Sequence, residues 1–232
     1  MCGRYILAQK AKFERAIKLQ RIRWEFTASY NVAPTQEVPI VRLAGGEWEG
    51  TMMRWGLIPF WAHGTAPKYS TINATIERFE TAPAFRGPWS RGQRCIVPAA
   101  GFYEWQVGAD GSKQPFLIQI ADQEVFGFAG LWERSVAPDG RAVESCTLLT
   151  MPANELMSRI HNVRQRMPAI LAAADHEAWL SGTAQQAKDT LRPYPDGLMV
   201  AYPVSVRVNS PRNNDPSLID PVDRPPTTEL PF

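Results

Sequence analysis

Between residues 95 and 150 the chain reads as a succession of short apolar runs: 95–97, 102–107, 115–121 (PFLIQIA), 125–132 (VFGFAGLW) and 143–150 (VESCTLLT). Asp110-Gly111 and Asp139-Gly140 fall between neighbours, and such dipeptides favour the positive-φ turns of hairpins. Upstream, Arg4–Leu7 can pair as a strand, and residues 38–43 and 47–56 read as two more joined at Ala44-Gly45-Gly46. Helical spacing is confined to separate pieces. These are AQKAKFERAIKLQ (8–20), a helix capped by Thr150 that runs through MPANELMSRIH to His161, and short segments at 175–180 and 183–191. Strands outnumber helices and do not alternate with them, so the expected class is α+β, built on a twisted, largely antiparallel sheet.

The 232 residues include 44 % hydrophobic side chains and eight Trp, enough for one packed domain. No apolar run approaches the roughly 18 residues of a membrane span, and the N-terminus lacks a signal-peptide pattern, so no membrane partner and a cytoplasmic location are expected. Nothing announces an oligomer seam, so a monomer is the default. Cys2, Cys95 and Cys146 are widely spaced with no CxxC, which argues against a disulfide framework and against a cysteine-pair zinc site. Cys95 and Cys146 sit in strand-like runs as buried thiols. Net charge is only +2, yet three windows carry arginines and no acid: 81–100 (Arg86, Arg91, Arg94), 156–174 (Arg159, Arg164, Arg166) and 204–214 (Arg207, Arg212). Brought together, they would make a basic face suited to phosphates. Residues 57–94 are Pro-, Trp- and Thr-rich with little periodicity, a length of loop that is usually functional. VSVRVNSPRNNDP reads as a strand entering a polar loop, and 223–232 as a Pro-rich tail.

Four residues stand out chemically. Cys2 follows the initiator Met1; loss of Met1 would leave an α-amine and a thiol on adjacent carbons, although a Met-Cys start also arises by chance. Glu104, in GFYEWQ, shares a strand face with Phe102 and Gln106 while Tyr103 and Trp105 share the other. A carboxylate among aromatics is desolvated and suited to acid–base work, unless it reaches the surface. His161 ends a helix beside an acid-free, Arg-containing segment, whereas His63 and His176 look like loop and helix-surface residues. Asn73, in STINATIE, is of the type that forms turns and caps.

Taken together, MCGRY, YNVAPTQ (30–36), RWGLIPFW (54–61), INATIE (72–77), PAFR (83–86), RCIVPAAGFYEW (94–105), LLTMPAN (148–154), IH…RMPAIL (160–171) and VNSPRNNDPSLI (208–219) follow one order and spacing. The chain resembles the SOS response-associated peptidase (SRAP) family of DNA abasic-site sensors over about residues 2–222. The resemblance implies a single domain over 1–222 with a barrel-like sheet core and peripheral helices. It also implies a processed Cys2 that becomes covalently attached to an abasic site in single-stranded DNA, with no cofactor and no metal. By the same resemblance Glu104 shuttles protons, His161 assists opening of the deoxyribose ring, and Asn73 hydrogen-bonds the reacting sugar or the thiazolidine. Arg4, Arg86, Arg166 and Arg212 are candidate phosphate contacts, and Trp61 a wedge or stacking residue beside the lesion.

Two departures accompany the resemblance. Thr75 stands where family members commonly have Arg, so that one phosphate contact is absent or supplied by Arg78. The segment NVRQ between His161 and Arg166 is longer than in the tightest form of the motif, which leaves the register of Arg164 against Arg166 open. Three other readings compete: a thiol autopeptidase in which Cys2 and His161 pair and Asn73 supports an oxyanion, a noncatalytic DNA-binding domain, and an abasic-site lyase acting through the imine.

Overall fold

In the computed structural model of the chain, residues 2–17 and 19–223 are described. Met1 and residues 224–232, nearly all of the expected tail, lie outside them. Strands β1 (Tyr5–Leu7), β2 (Arg21–Ile22), β3 (Ser29–Val32), β4 (Glu37–Ala44) and β5 (Glu47–Trp55) precede a loop-rich stretch that contains β6 (Asn73–Thr75). Then come β7 (Arg94–Ala99), β8 (Gly101–Val107), β9 (Lys113–Ile120), β10 (Phe126–Val136) and β11 (Ala142–Pro152). Short β12 (Arg166–Pro168), β13 (Ile170–Leu171) and β14 (Met199–Pro203) follow. The helices are α1 (Lys10–Ala16), α2 (Arg86–Ser90), α3 (Glu155–Ile160), α4 (His176–Ser181) and α5 (Ala184–Asp189), each brief and peripheral.

Five strands close on themselves. β4 pairs antiparallel with β5 and β7, β7 with β10, and β10 with β11. A parallel contact of Ser145 and Cys146 in β11 with Arg54 and Trp55 in β5 completes the ring. Closure leaves no edge inside the barrel for stray pairing. The β4–β5 connection is a two-residue turn at Gly45 and Gly46 with φ of 62° and 83°; two successive positive φ values are what such a hairpin turn requires and glycine supplies. A second, wholly antiparallel sheet runs β14-β9-β8-β1-β3.

The sheets meet through β1. Tyr5 packs edge-on against Trp55 of β5 (5.4 Å between centroids) and Phe128 of β10 (6.1 Å), and Phe102 of β8 meets Phe128 at 5.8 Å. Each such pair contributes about 0.5–1.5 kcal/mol beyond the area it buries. β11 runs past the barrel rim, where its flanks are taken over by β6 on one side and β12 on the other. That overhang places Asn73 and Arg166 on either side of one strand.

Several expectations need correction. The helix expected from Thr150 begins at Glu155, because Thr150–Pro152 continue β11; Asn154 caps it instead, accepting from the Met157 amide at 2.9 Å. The aperiodic stretch 57–94 contains β6, which β11 recruits by offering an open flank. The strand expected in VSVRVN is a 3-10 turn at Val206–Asn209, and the pairing strand is β14 before it. His176 is buried at the start of α4 rather than on its surface. No helix among the described residues is long and apolar enough to cross a membrane.

Candidate functional site

Cys2 leads into β1 at the seam between the two sheets and is fully buried. Asn73, reaching over from β6, donates its amide Nδ2 to the Cys2 carbonyl oxygen at 2.9 Å. The residue type expected in a turn or cap thus lies in a strand and clamps the N-terminal segment. The Cys2 thiol donates toward the Arg4 carbonyl at 3.7 Å. Burial pushes the thiol well above its ordinary range, and the Glu104 carboxylate pushes it the same way, so it rests as a neutral thiol.

Glu104 alternates inward on β8 and is 2 % exposed. Desolvation raises its pKa from 4.5 to about 7, which divides it between acid and base near neutral pH. α3 docks on β8, its Arg159 carbonyl accepting from Gln106 Nε2 at 2.8 Å, and this sets His161 at the helix end beside Glu104. Nε2 of His161 lies 3.9 Å from Glu104 Oε2. Its Nδ1 lies 2.9 Å from the Arg166 carbonyl, which can only accept, so Nδ1 carries the proton. Burial and the neighbouring Arg164 and Arg166 lower the imidazole pKa against the pull of that carbonyl. The neutral ring therefore turns an accepting Nε2 toward Glu104.

Arg166 grips Glu77 through both terminal nitrogens (2.6 and 3.0 Å) and donates to the Thr150 carbonyl at 2.7 Å, which holds the Glu77 carboxyl below its usual range. Arg4 is likewise engaged within the fold: it donates to Asn31 Oδ1 (3.0 Å) and to the carbonyls of Val208 (2.8 Å) and Asn209 (3.2 Å). Asn31, buried, spends its own amide on the carbonyls of Val208, Ser210 and Asn213 at 3.2, 2.9 and 2.8 Å. Sequence reasoning did not single out Asn31 or Glu77, although both lie inside the quoted segments YNVAPTQ and INATIE. Trp61 sits on a 3-10 turn at Phe60–Ala62 and is 42 % exposed; Arg86 and Arg212 are exposed. Thr75 lies opposite Thr150 across the β6–β11 pair, and Arg78 is exposed just beyond it.

The basic windows do not merge into one face. Arg94 is buried and donates to the carbonyls of Trp179 and Gly182, and Arg91 pairs with Glu133. Windows two and three do approach each other: Arg164 and Asn209 help line a pocket of 560 Å³ whose inner wall is Glu104 and His161. Trp105, Val107, Lys113 and Val163 complete it, with the Trp105 indole donating to Asn209 Oδ1 at 2.8 Å. Among the described residues no group of three or more His, Cys, Asp or Glu is placed to hold a metal ion.

Comparison with known proteins identifies the family. The family model described as SOS response associated peptidase (SRAP) matches residues 1–211. The abasic site processing protein YoqW of Bacillus subtilis (strain 168) is similar at 38 % identity, covering 95 % of this chain and 99 % of that protein. The abasic site processing protein HMCES of Gallus gallus is similar at 29 % identity, over 96 % of this chain and 78 % of that one. Among solved structures, a protein of Bacteroides thetaiotaomicron superposes with a TM-score of 0.81 at 26 % identity, covering 95 % of this chain and all of that one. One of Bordetella bronchiseptica superposes with a TM-score of 0.77 at 30 % identity, covering 88 % and all, respectively.

Proposed function

The chain belongs to the SOS response associated peptidase family, and from that membership we propose that it is a covalent sensor of abasic sites in single-stranded DNA. The observation that carries the chemistry is the buried Glu104 carboxyl, poised at about 7 beside Cys2 and 3.9 Å from His161.

The abasic deoxyribose exchanges between a closed hemiacetal and an open C1′ aldehyde. His161 Nε2 accepts the anomeric hydroxyl proton as the C1′–O4′ bond breaks, and returns it to O4′. After Met1 is lost, the Cys2 ammonium passes a proton to the Glu104 carboxylate and the amine adds to C1′. Glu104 then protonates the departing hydroxyl of the carbinolamine; water leaves and a protonated imine remains. The thiol gives its proton back to the Glu104 carboxylate as sulfur adds to C1′ and the C=N pair returns to nitrogen, which closes a five-membered thiazolidine with one water released overall. The neutral thiol fits this order, because the amine acts first. An α-amine pKa of ~8 against ~10.4 for lysine leaves roughly 300-fold more neutral amine at neutral pH. Ring closure is intramolecular and gains the corresponding effective molarity. Asn73 holds the Cys2 carbonyl while these bonds form, Arg86 and Arg212 contact phosphates, Arg166 and Arg4 brace the segments beside them through their bonds within the fold, and Trp61 stacks next to the gap.

Self-removal of Met1 is a second reading, favoured by the Cys2 thiol lying within the field of Glu104, a base of suitable strength. Asn73 is engaged with the carbonyl one residue beyond the scissile bond, so it acts there as a clamp rather than as an oxyanion donor. A lyase outcome branches from the imine, whose β-elimination competes when ring closure fails.

The test is denaturing electrophoresis with intact-mass analysis of the processed protein and an oligonucleotide carrying one abasic site. A heat-stable band confined to the lesion-bearing strand and lost in Cys2→Ala is expected. Absence of that band despite confirmed loss of Met1 would leave only noncovalent DNA binding. Retention of Met1 by Glu104→Gln, with clean processing of the wild type, would support self-removal.

A further inference from the structure

We infer that the His161–Arg166 connection, together with Lys113, forms a phosphate-gripping subsite for the nucleotide next to the lesion; this rests on the abasic-site reading above. The connection is held as a fixed turn. Asn162 accepts from the Val107 amide at 3.0 Å and donates to the Val107 carbonyl at 2.9 Å, so its side chain completes the end of β8 as a strand partner would. Gln165 takes a left-handed φ of 49°, its amide donating to the His161 carbonyl at 2.8 Å and its carbonyl accepting from Ala153 at 2.9 Å. The tip between these anchors carries Val163, 68 % exposed, and Arg164, also exposed. Lys113 opens β9 directly opposite Val107 and lines the same pocket.

The charge arrangement points to an anion. The ion pairs nearby use Arg159, Arg166 and Arg207; Arg164 and Lys113 enter none among the described residues. Both line the pocket whose inner wall is Glu104 and His161, where Glu104 is the only carboxyl among the described residues. At 560 Å³ the pocket exceeds what one deoxyribose needs, and lies within the range of about 300–1,000 Å³ typical of ligand sites. A strand whose abasic sugar reaches Glu104 must leave through this mouth, carrying a phosphodiester between the two cations while Val163 packs on a sugar. The contact reads no base, as a sensor of a missing base requires.

The experiment measures crosslinking half-saturation against salt for the processed wild type and for Lys113→Ala/Arg164→Ala. The strands are an abasic oligonucleotide with both flanks, one cut to end at the lesion on its 5′ side, and one cut on its 3′ side. Each phosphate neutralised on a single strand adds about 0.7 to the log–log salt slope. Because both cations grip one phosphodiester, the double variant should flatten the slope by about 0.7 and raise half-saturation about three- to tenfold at low salt. With one of the two truncated strands, wild type and variant should coincide, which identifies the flank that the subsite holds. Equal slopes and half-saturations on the full strand would overturn the subsite. So would a wild type that is indifferent to both truncations, a result that needs no variant. Failure of the wild type to crosslink any strand refutes the parent reading instead.

Discussion

Glu104→Gln should stabilise the protein while disabling it, and the size of the effect follows from burial. The carboxyl titrates at about 7 in the fold against 4.5 as a model group, because it is 2 % exposed. Between those values the native state binds more protons than the unfolded state, so unfolding free energy falls as pH rises. The stability attached to Glu104 is thus fully present below pH 4.5 and is lost as pH climbs through about 7. At 1.36 kcal/mol per unit the whole shift amounts to about 3 kcal/mol, of which roughly 2–3 kcal/mol falls between pH 5 and pH 8. Glutamine keeps the shape and carries no charge to bury. The assay is urea unfolding of wild type and variant at both pH values, compared as a difference so that shared titrations cancel. The variant should gain about 2–3 kcal/mol on the wild type from pH 5 to pH 8, seen also as a melting temperature roughly 4–12 °C higher at pH 8. Crosslinking should meanwhile slow by about 10²–10⁴-fold, the usual range for a lost proton-transfer group. A difference that does not change with pH, or a wild type that gains stability as pH rises, would refute the assignment of Glu104 as a desolvated acid.

Three further outcomes follow from the packing and the clamp. Asn73→Ala removes the 2.9 Å bond to the Cys2 carbonyl and should slow single-turnover crosslinking by about tenfold or more, the rate equivalent of one buried hydrogen bond. Asn31→Ala removes the bonds to the carbonyls of Val208, Ser210 and Asn213 and to the Arg4 guanidinium, so denaturant unfolding should show a loss of about 2–4 kcal/mol and proteolysis should open near 208–213. Gly130→Ala would set a Cβ 2.7 Å from the Thr147 carbonyl and 3.0 Å from Cys95 Sγ inside the barrel wall; a cost of about 1–3 kcal/mol in urea unfolding is expected.

The local signals in the sequence found the local structure. Gly45-Gly46, Asp110-Gly111 and Asp139-Gly140 marked three hairpins, since positive φ at a turn is a property of the residues that occupy it. Thr183 and Gln186 likewise close a capping box at the start of α5. Features made by distant partners left no such mark. β6 is three residues whose only reason to be extended is the open flank of β11. The false start at Thr150 arose because a residue of capping type is indistinguishable, in sequence, from the end of a strand that runs on to Pro152. Barrel closure joins Trp55 to Cys146, a parallel contact that no turn announces. At the site, the alternation of GFYEWQ placed Glu104 correctly among aromatics, but the engagement of Arg4 with Asn31, Val208 and Asn209 depends on a loop some two hundred residues away.

The most demanding requirement of the proposed chemistry is that a chain terminus be rigid. Terminal residues ordinarily fray, and fixing one backbone residue costs about 1–2 kcal/mol. A loose Cys2 would meet that cost at every lesion and lose the advantage of an aligned amine. Here it is met once, in folding. β1 is paired on both sides, by β3 and by β8, and Tyr5 is wedged between Trp55 and Phe128 of the barrel. The Arg4 side chain is tied to the 208–209 loop, and Asn73 takes the Cys2 carbonyl from the opposite sheet. Neither sheet alone could arrange this, because Glu104 belongs to one and Asn73 to the other, with Cys2 at their seam. A barrel closed by β5 and β11 fixes where β6 lies, and therefore where the clamp falls on Cys2. Core substitutions that shift the two sheets against each other should thus slow crosslinking before they unfold the protein.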